Sequence, residues 1–79
     1  MRPRAIDVKI LDNYELLITF SNNEKRIFDV KPYLAYKQFE SLKNISIFNT
    51  VKIDGLSISW INGSDVCPDE LYNNSKPAE

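Results

Sequence analysis

The chain has only two glycines, Gly55 and Gly63, and each completes a turn-forming pair, Asp54-Gly55 and Asn62-Gly63. Such pairs are strong hairpin signals, because a type I′ turn needs positive φ at both central residues. They bracket Leu56 to Ile61, so this run reads as a strand, with Val51 to Asp54 as the strand before it and Val66 with Cys67 as a short edge strand after it. The neighbours must be antiparallel, since a two-residue turn cannot deliver a parallel partner. Leu56, Ile58 and Trp60 alternate with Ser57 and Ser59, which predicts one apolar face turned to the helical part of the molecule, with Trp60 as the largest core residue.

The first thirty residues open with the same period of two and continue as β-rich runs between polar turns. Ile6, Val8 and Ile10 alternate with Asp7 and Lys9, predicting a half-buried strand over Ala5 to Leu11. Asp12-Asn13 is a turn pair, because both side chains bond their own main chain and tolerate left-handed backbone. Glu15 to Phe20 is the next strand, Ser21-Asn22-Asn23 the next turn, and Lys25 to Asp29 a third strand with Phe28 and Ile27 on opposite faces. The period then changes: Phe39, Leu42, Ile45 and Phe48 recur every three residues, the spacing of one helical face. Pro32 suits a first helical turn, so Val30 to Tyr36 can form a short turn ahead of the longer piece. Asp69 to Tyr72 behind Pro68 predicts one last helical turn, and Asn73 to Glu79 a frayed polar tail.

The expected fold is therefore α+β: an antiparallel meander with hairpins, about five to six short strands, and a short helical segment between strands 3 and 4. At 79 residues, with no repeat, linker or low-complexity tract, one domain is expected, its core spanning about residues 5 to 72. The 43% hydrophobic and 27% charged content is that of a folding chain rather than a disordered one.

Charge and chemistry narrow the function classes. The net charge is −1, and the mild basic excess of residues 1–43 is far from the clustered cations that neutralise phosphates, which disfavours dedicated nucleic-acid binding. There is no histidine, which removes the commonest general base and metal ligand and every Ser-His or Cys-His pairing. No glycine-rich phosphate loop is possible with the two glycines where they are. The chain is expected not to be an enzyme and to need no cofactor. A single cysteine, and a Met1-Arg2-Pro3-Arg4 start with no apolar stretch behind it, point to the cytoplasm. The longest apolar run, Leu16 to Ile18, is far short of the roughly 18 residues that span a bilayer.

Four features were weighed for chemistry. Asp65, Asp69 and Glu70 are oxygen donors for a hard cation, but their spacing matches no EF-hand loop, and a solvated acidic loop explains them. Cys67 has no cation near it in sequence to hold a thiolate, which predicts a small, buried, inert residue. Tyr14, Tyr33, Tyr36 and Tyr72 with Lys31 and Lys37 suggest a stacking surface for single strands, and half-buried tyrosines at the rim of a small core explain them equally. Asp65, Asp69 and Tyr72 are expected close together beyond the Asn62-Gly63 turn, where polar loop residues commonly meet partners.

The order of motifs also carries a resemblance. Arg26-Ile27-Phe28-Asp29-Val30, then Phe39 and Leu42 before Phe48-Asn49-Thr50-Val51, then Ile58-Ser59-Trp60-Ile61-Asn62-Gly63-Ser64-Asp65 leading into Pro68-Asp69-Glu70-Leu71-Tyr72 resembles the small bacterial family called domain of unknown function 2442. The likeness covers roughly residues 5 to 72. It implies an antiparallel α+β domain and no catalytic residue set. It leaves Trp60 as core, Asn62 and Gly63 as turn and Pro68 as a helix start. Members look like stand-alone domains encoded beside other small proteins, or like the front half of chains that end in a helix-turn-helix DNA-binding domain. The leading expectation is thus an interaction or regulatory module acting with a small co-encoded protein. A nucleic-acid-associated regulator and self-association through the Ala5 to Leu11 edge are the alternatives.

Overall fold

The computed structural model describes residues 3–78; Met1, Arg2 and Glu79, the ends of the expected start and tail, lie outside the described residues. Strands β1 (Ala5–Ile10), β2 (Glu15–Phe20) and β3 (Lys25–Asp29) form the expected meander. Two 3-10 helices, Lys31–Ala35 and Lys37–Lys43, and a short helix α1 (Ile45–Phe48) follow, then β4 (Lys52–Asp54), β5 (Ser57–Ser59) and β6 (Asp65–Val66). Helix α2 (Pro68–Asn73) and strand β7 (Lys76–Pro77) end the described chain. The strands form two antiparallel sheets, ordered β1-β2-β3-β7 and β4-β5-β6, so the fold is α+β.

β2 is the centre of the first sheet because Leu16, Ile18 and Phe20 all point to one face and are fully buried. Each such side chain contributes about 1.5–3 kcal/mol relative to exposure. β1 departs from its expected alternation. Its register against β2 shifts between Ala5 and Asp7, so Ile6 is the extra residue of a β-bulge and is 48% exposed. Ala5 takes the core position opposite Phe20, and Val8 and Ile10 regain that face opposite Ile18 and Leu16. A bulge of one residue is enough to shift which side chains point inward.

The β1–β2 turn is centred on Asn13 and Tyr14, one residue later than expected, with φ of 60° and 61°. Positive φ is uncommon for a tyrosine. The ring is held edge-on to Phe48 at 5.1 Å, and its hydroxyl donates to the Lys43 carbonyl, so tertiary contacts fix the backbone there. The middle segment realises its three-residue period largely as 3-10 helix, which has three residues per turn. Phe39, Leu42 and Phe48 are buried as expected. Ile45 is 52% exposed, because Asn44 breaks the helix and caps a new one, its side chain accepting from the Ser46 N–H at 3.0 Å.

The glycine hairpins are present, with one correction of phase. Asp54 pairs with Ser57, so the turn residues are Gly55 and Leu56; only Gly55 has positive φ (61°), the pattern of a type II′ turn. Leu56 is consequently exposed in the turn instead of facing the core. β5 is covered on both faces, so Ser57 and Ser59 are buried with Ile58. Trp60 is 2% exposed and its indole N–H donates to the Phe48 carbonyl at 3.0 Å. Ser57 Oγ is, among the described residues, the buried side-chain polar atom without a partner. An unsatisfied buried hydroxyl costs about 1–3 kcal/mol, so Ser57→Ala is expected to stabilise by roughly 1 kcal/mol and raise Tm by about 4–8 °C. A lower melting midpoint in the alanine variant would sink that assignment.

Two more expectations are corrected at the end of the chain. Cys67 is exposed, because it sits outward at the junction of β6 and α2. The tail is not frayed up to Pro77: Ser75 is 3% exposed and Lys76–Pro77 pairs with Arg26 and Ile27 of β3.

Candidate functional site

The three-residue period has a second consequence beside the core. Tyr33, Tyr36 and Phe39 are three apart, and the Tyr36 N–H donates to the Tyr33 carbonyl and the Phe39 N–H to the Tyr36 carbonyl, both at 3.0 Å. Residues spaced by three stack on one side of a 3-10 turn. Their rings form a row, with Tyr33 centred 6.5 Å from Tyr36 and 5.6 Å from Phe39. Tyr33 is the inner member, 5.3 Å from Phe28, and its hydroxyl accepts from Asn74 Nδ2 at 2.9 Å. Tyr36 is the outer one, 60% exposed.

This row is one wall of a cleft of about 950 Å³. Asp29 and Pro32 enter from the β3 end, Asp65 and Cys67 from β6 and its exit, Glu70 and Asn74 from α2, and Lys76 from β7. Three carboxylates face one amine, a formal balance of −2. Asp29 is drawn aside by Lys31, 3.0 Å away, which leaves Asp65 and Glu70 as the acids of the inner cleft. Burial raises the Tyr33 hydroxyl above its ordinary pKa, and Glu70 adds to the shift, so Tyr33 stays a neutral phenol at any physiological pH. A smaller cleft of about 370 Å³ continues past Gln38, Phe39 and Asp65 to the Asn62-Gly63 turn, which is tied down by Ser64 Oγ donating to the Gln38 carbonyl at 2.9 Å.

The expected site residues separate. Asp65 lines this cleft, while Asp69 and Tyr72 lie three positions apart on α2, with Asp69 exposed. Tyr72 is committed inward: its ring stands edge-on to Phe20 at 5.1 Å, its hydroxyl donates to Glu24, and the Arg26 guanidinium lies 4.7 Å from its centroid. That hydrogen bond lowers the Glu24 carboxyl below its usual range and raises the Tyr72 hydroxyl. Of the tyrosines, Tyr14 and Tyr72 belong to the core rim, and only Tyr33 and Tyr36 come together. Lys31 is held by Asp29, by Glu15 at 3.7 Å and by the Asn13 carbonyl at 2.9 Å. Among the described residues no three His, Cys, Asp or Glu side chains gather to hold a metal ion, and no helix is long and apolar enough to cross a membrane. Trp60, Asn62, Gly63 and Pro68 take the core, turn and helix-start positions described above, with Gly63 at φ 92°.

Sequence reasoning grouped Tyr33 and Tyr36 with the other tyrosines but did not join them to Phe39 or to Glu70. The Tyr-x-x-Tyr-x-x-Phe spacing was the available signal for the aromatic row; nothing local places Glu70 opposite it. Against known proteins, the family model described as Protein of unknown function (DUF2442) matches residues 5–77, nearly the whole chain. No curated protein and no solved structure matches.

Proposed function

We propose that this chain, which belongs to the DUF2442 family, is a non-enzymatic protein-interaction module that binds a basic segment of a small, co-encoded protein in the Tyr33–Tyr36 cleft. One observation carries the reading: an aromatic row, half-buried at Tyr33 and exposed at Tyr36, lines one cleft together with Asp65 and Glu70. Aromatic faces attract Lys and Arg cations within about 6 Å, and adjacent carboxylates pair with the same cations. A cleft of this sign repels phosphate, which speaks against nucleic acid as its occupant. The absence of histidine and the lack of an activated nucleophile support a binding role over a chemical one.

The test is affinity purification of the tagged protein from its native host at physiological salt, with and without nuclease, followed by the same experiment with Tyr36→Ala and Glu70→Lys. Both side chains are exposed, so both variants are expected to melt like wild type. One stoichiometric protein is expected to survive nuclease and to lose roughly thirty-fold in affinity in each variant, the effect of a hot-spot residue worth about 2 kcal/mol. A partner held equally by wild type and both variants, or recovery of nucleic acid alone, would refute the reading.

A further inference from the structure

β1 is an edge strand. It pairs with β2 on one side. On the other, among the described residues, its one backbone hydrogen bond runs from the Ala5 N–H to the Leu56 carbonyl at 3.2 Å. The Leu11 N–H donates to the Glu15 carbonyl at 2.9 Å, which turns Leu11 toward β2. Backbone groups alternate sides along a strand, so the N–H and C=O of Val8 and Ile10 face the open edge. The bulge lies at the start of the strand and leaves Asp7 to Ile10 in regular register. Edges are commonly blunted by bulges or charges along their length; this one keeps a regular stretch from Asp7 to Ile10, with Ile10 42% exposed and the bulged Ile6 48% exposed beside it.

The sequence of that stretch complements its own reverse. A two-fold axis through Val8 sets Asp7 of one copy against Lys9 of the other on both sides of the axis and Val8 against Val8, with Ile10 reaching the bulge at Ile6. Opposite charges and apolar pairs stabilise directly opposed positions in antiparallel strands, whereas like charges destabilise them. Axes through Asp7 or through Lys9 would set identical charges face to face, so Val8 is the favoured centre. Asp7 and Lys9 pair within the chain with Thr19 and Leu17, on the outer face of the sheet, where their side chains are exposed and open to a neighbour. Leu56, 56% exposed beside Ala5, extends the apolar margin at each end of the paired region.

We infer that the partner fitted to this edge is a second copy of the chain, joined β1 to β1 in antiparallel register about Val8, so that the two four-stranded sheets run on as one. The surface is separate from the aromatic cleft, and the dimer forms whether or not the cleft is filled. A contact of this size is small for a stable complex, so assembly is concentration-dependent.

Sedimentation equilibrium over the micromolar to millimolar range tests it, with charge exchange as the specific probe. Wild type is expected to move from the 9.2 kDa monomer toward twice that mass as concentration rises. Asp7→Lys and Lys9→Asp, each alone, put like charges at both paired positions and are expected to weaken self-association roughly tenfold. An equimolar mixture of the two variants restores both opposite-charge pairs and is expected to form the heterodimer at least as well as wild type associates with itself. The restoration also shows that each variant is folded. A wild type that stays monomeric throughout, single variants that dimerise like wild type, or a mixture that fails to recover would each overturn the proposal.

Discussion

Trp60→Ala is expected to remove most of the stability of this protein. A chain of 79 residues has a total stability of roughly 4–12 kcal/mol at about 0.05–0.15 kcal/mol per residue. Truncating a buried Trp to Ala typically costs about 3–5 kcal/mol. Trp60 is 2% exposed, packs with its ring centroid 6.3 Å from Phe48, and holds the Phe48 carbonyl through its indole N–H. It therefore joins the second sheet to the end of the helical segment, and its loss opens a cavity at that joint. Trp60→Phe keeps most of the apolar volume but removes the donor. The Phe48 carbonyl keeps a longer bond from the Val51 N–H at 3.3 Å, so this variant is expected to lose about 1–2 kcal/mol beyond the volume change. Urea unfolding followed by circular dichroism separates the two. An alanine variant within about 1 kcal/mol of wild type, roughly a fivefold change in the folding equilibrium, would show that Trp60 is not the joint.

Much of the architecture was legible because its signals are local. The β-rich run Glu15 to Phe20 set out β2 between its two polar turns, and the run Lys25–Asp29 coincides with β3 at both ends. The Asp-Gly and Asn-Gly pairs placed both later hairpins, and Pro68 marked the start of α2. What was not legible depends on contacts between distant residues. The bulge at Ile6 looks like ordinary alternation until β2 supplies a partner register. Ser57 and Ser59 read as a solvent face because their cover comes from elsewhere in the chain. Tyr14 carries no sequence sign of positive φ; Phe48 and the Lys43 carbonyl, far along the chain, hold it there. The candidate cleft is of the same kind, for its aromatic wall is written in a seven-residue spacing while its acidic wall comes from β6 and α2.

The clearest case is the segment after α2, where polar residues Asn73 to Lys76 carry no apolar pattern and yet are ordered by the β3–β7 ladder and by a side chain of β3, Arg26. Its Nε donates to Ser75 Oγ and its Nη2 to the Ser75 carbonyl, both at 2.7 Å, while its face covers the Tyr72 ring and Glu24 lies 3.9 Å from Nη1. Arg26 lies on the core-side face of β3, opposite Ile18, with a side chain only 16% exposed, so these bonds form in a partly desolvated setting. A hydrogen bond to a charged group contributes about 1.5–3 kcal/mol, and removing Arg26 takes from the Ser75 carbonyl its Nη2 donor, while the Ser75 hydroxyl keeps only the bond it donates to the Tyr72 carbonyl at 2.8 Å. Arg26→Ala is therefore expected to cost about 3 kcal/mol. Arg26→Lys keeps the charge but cannot reproduce the two-pronged geometry, and is expected to recover only part of that loss. The damage should be local before it is global. Hydrogen exchange is expected to show lost protection first at Ala78, whose N–H donates to the Lys25 carbonyl at 3.0 Å, and at Asn74 and Ser75, with β1 and β2 protected until the whole domain unfolds. Uniform loss of protection across both sheets, or a lysine variant as stable as wild type, would mean that the end of the chain is held by something other than the Arg26 fork.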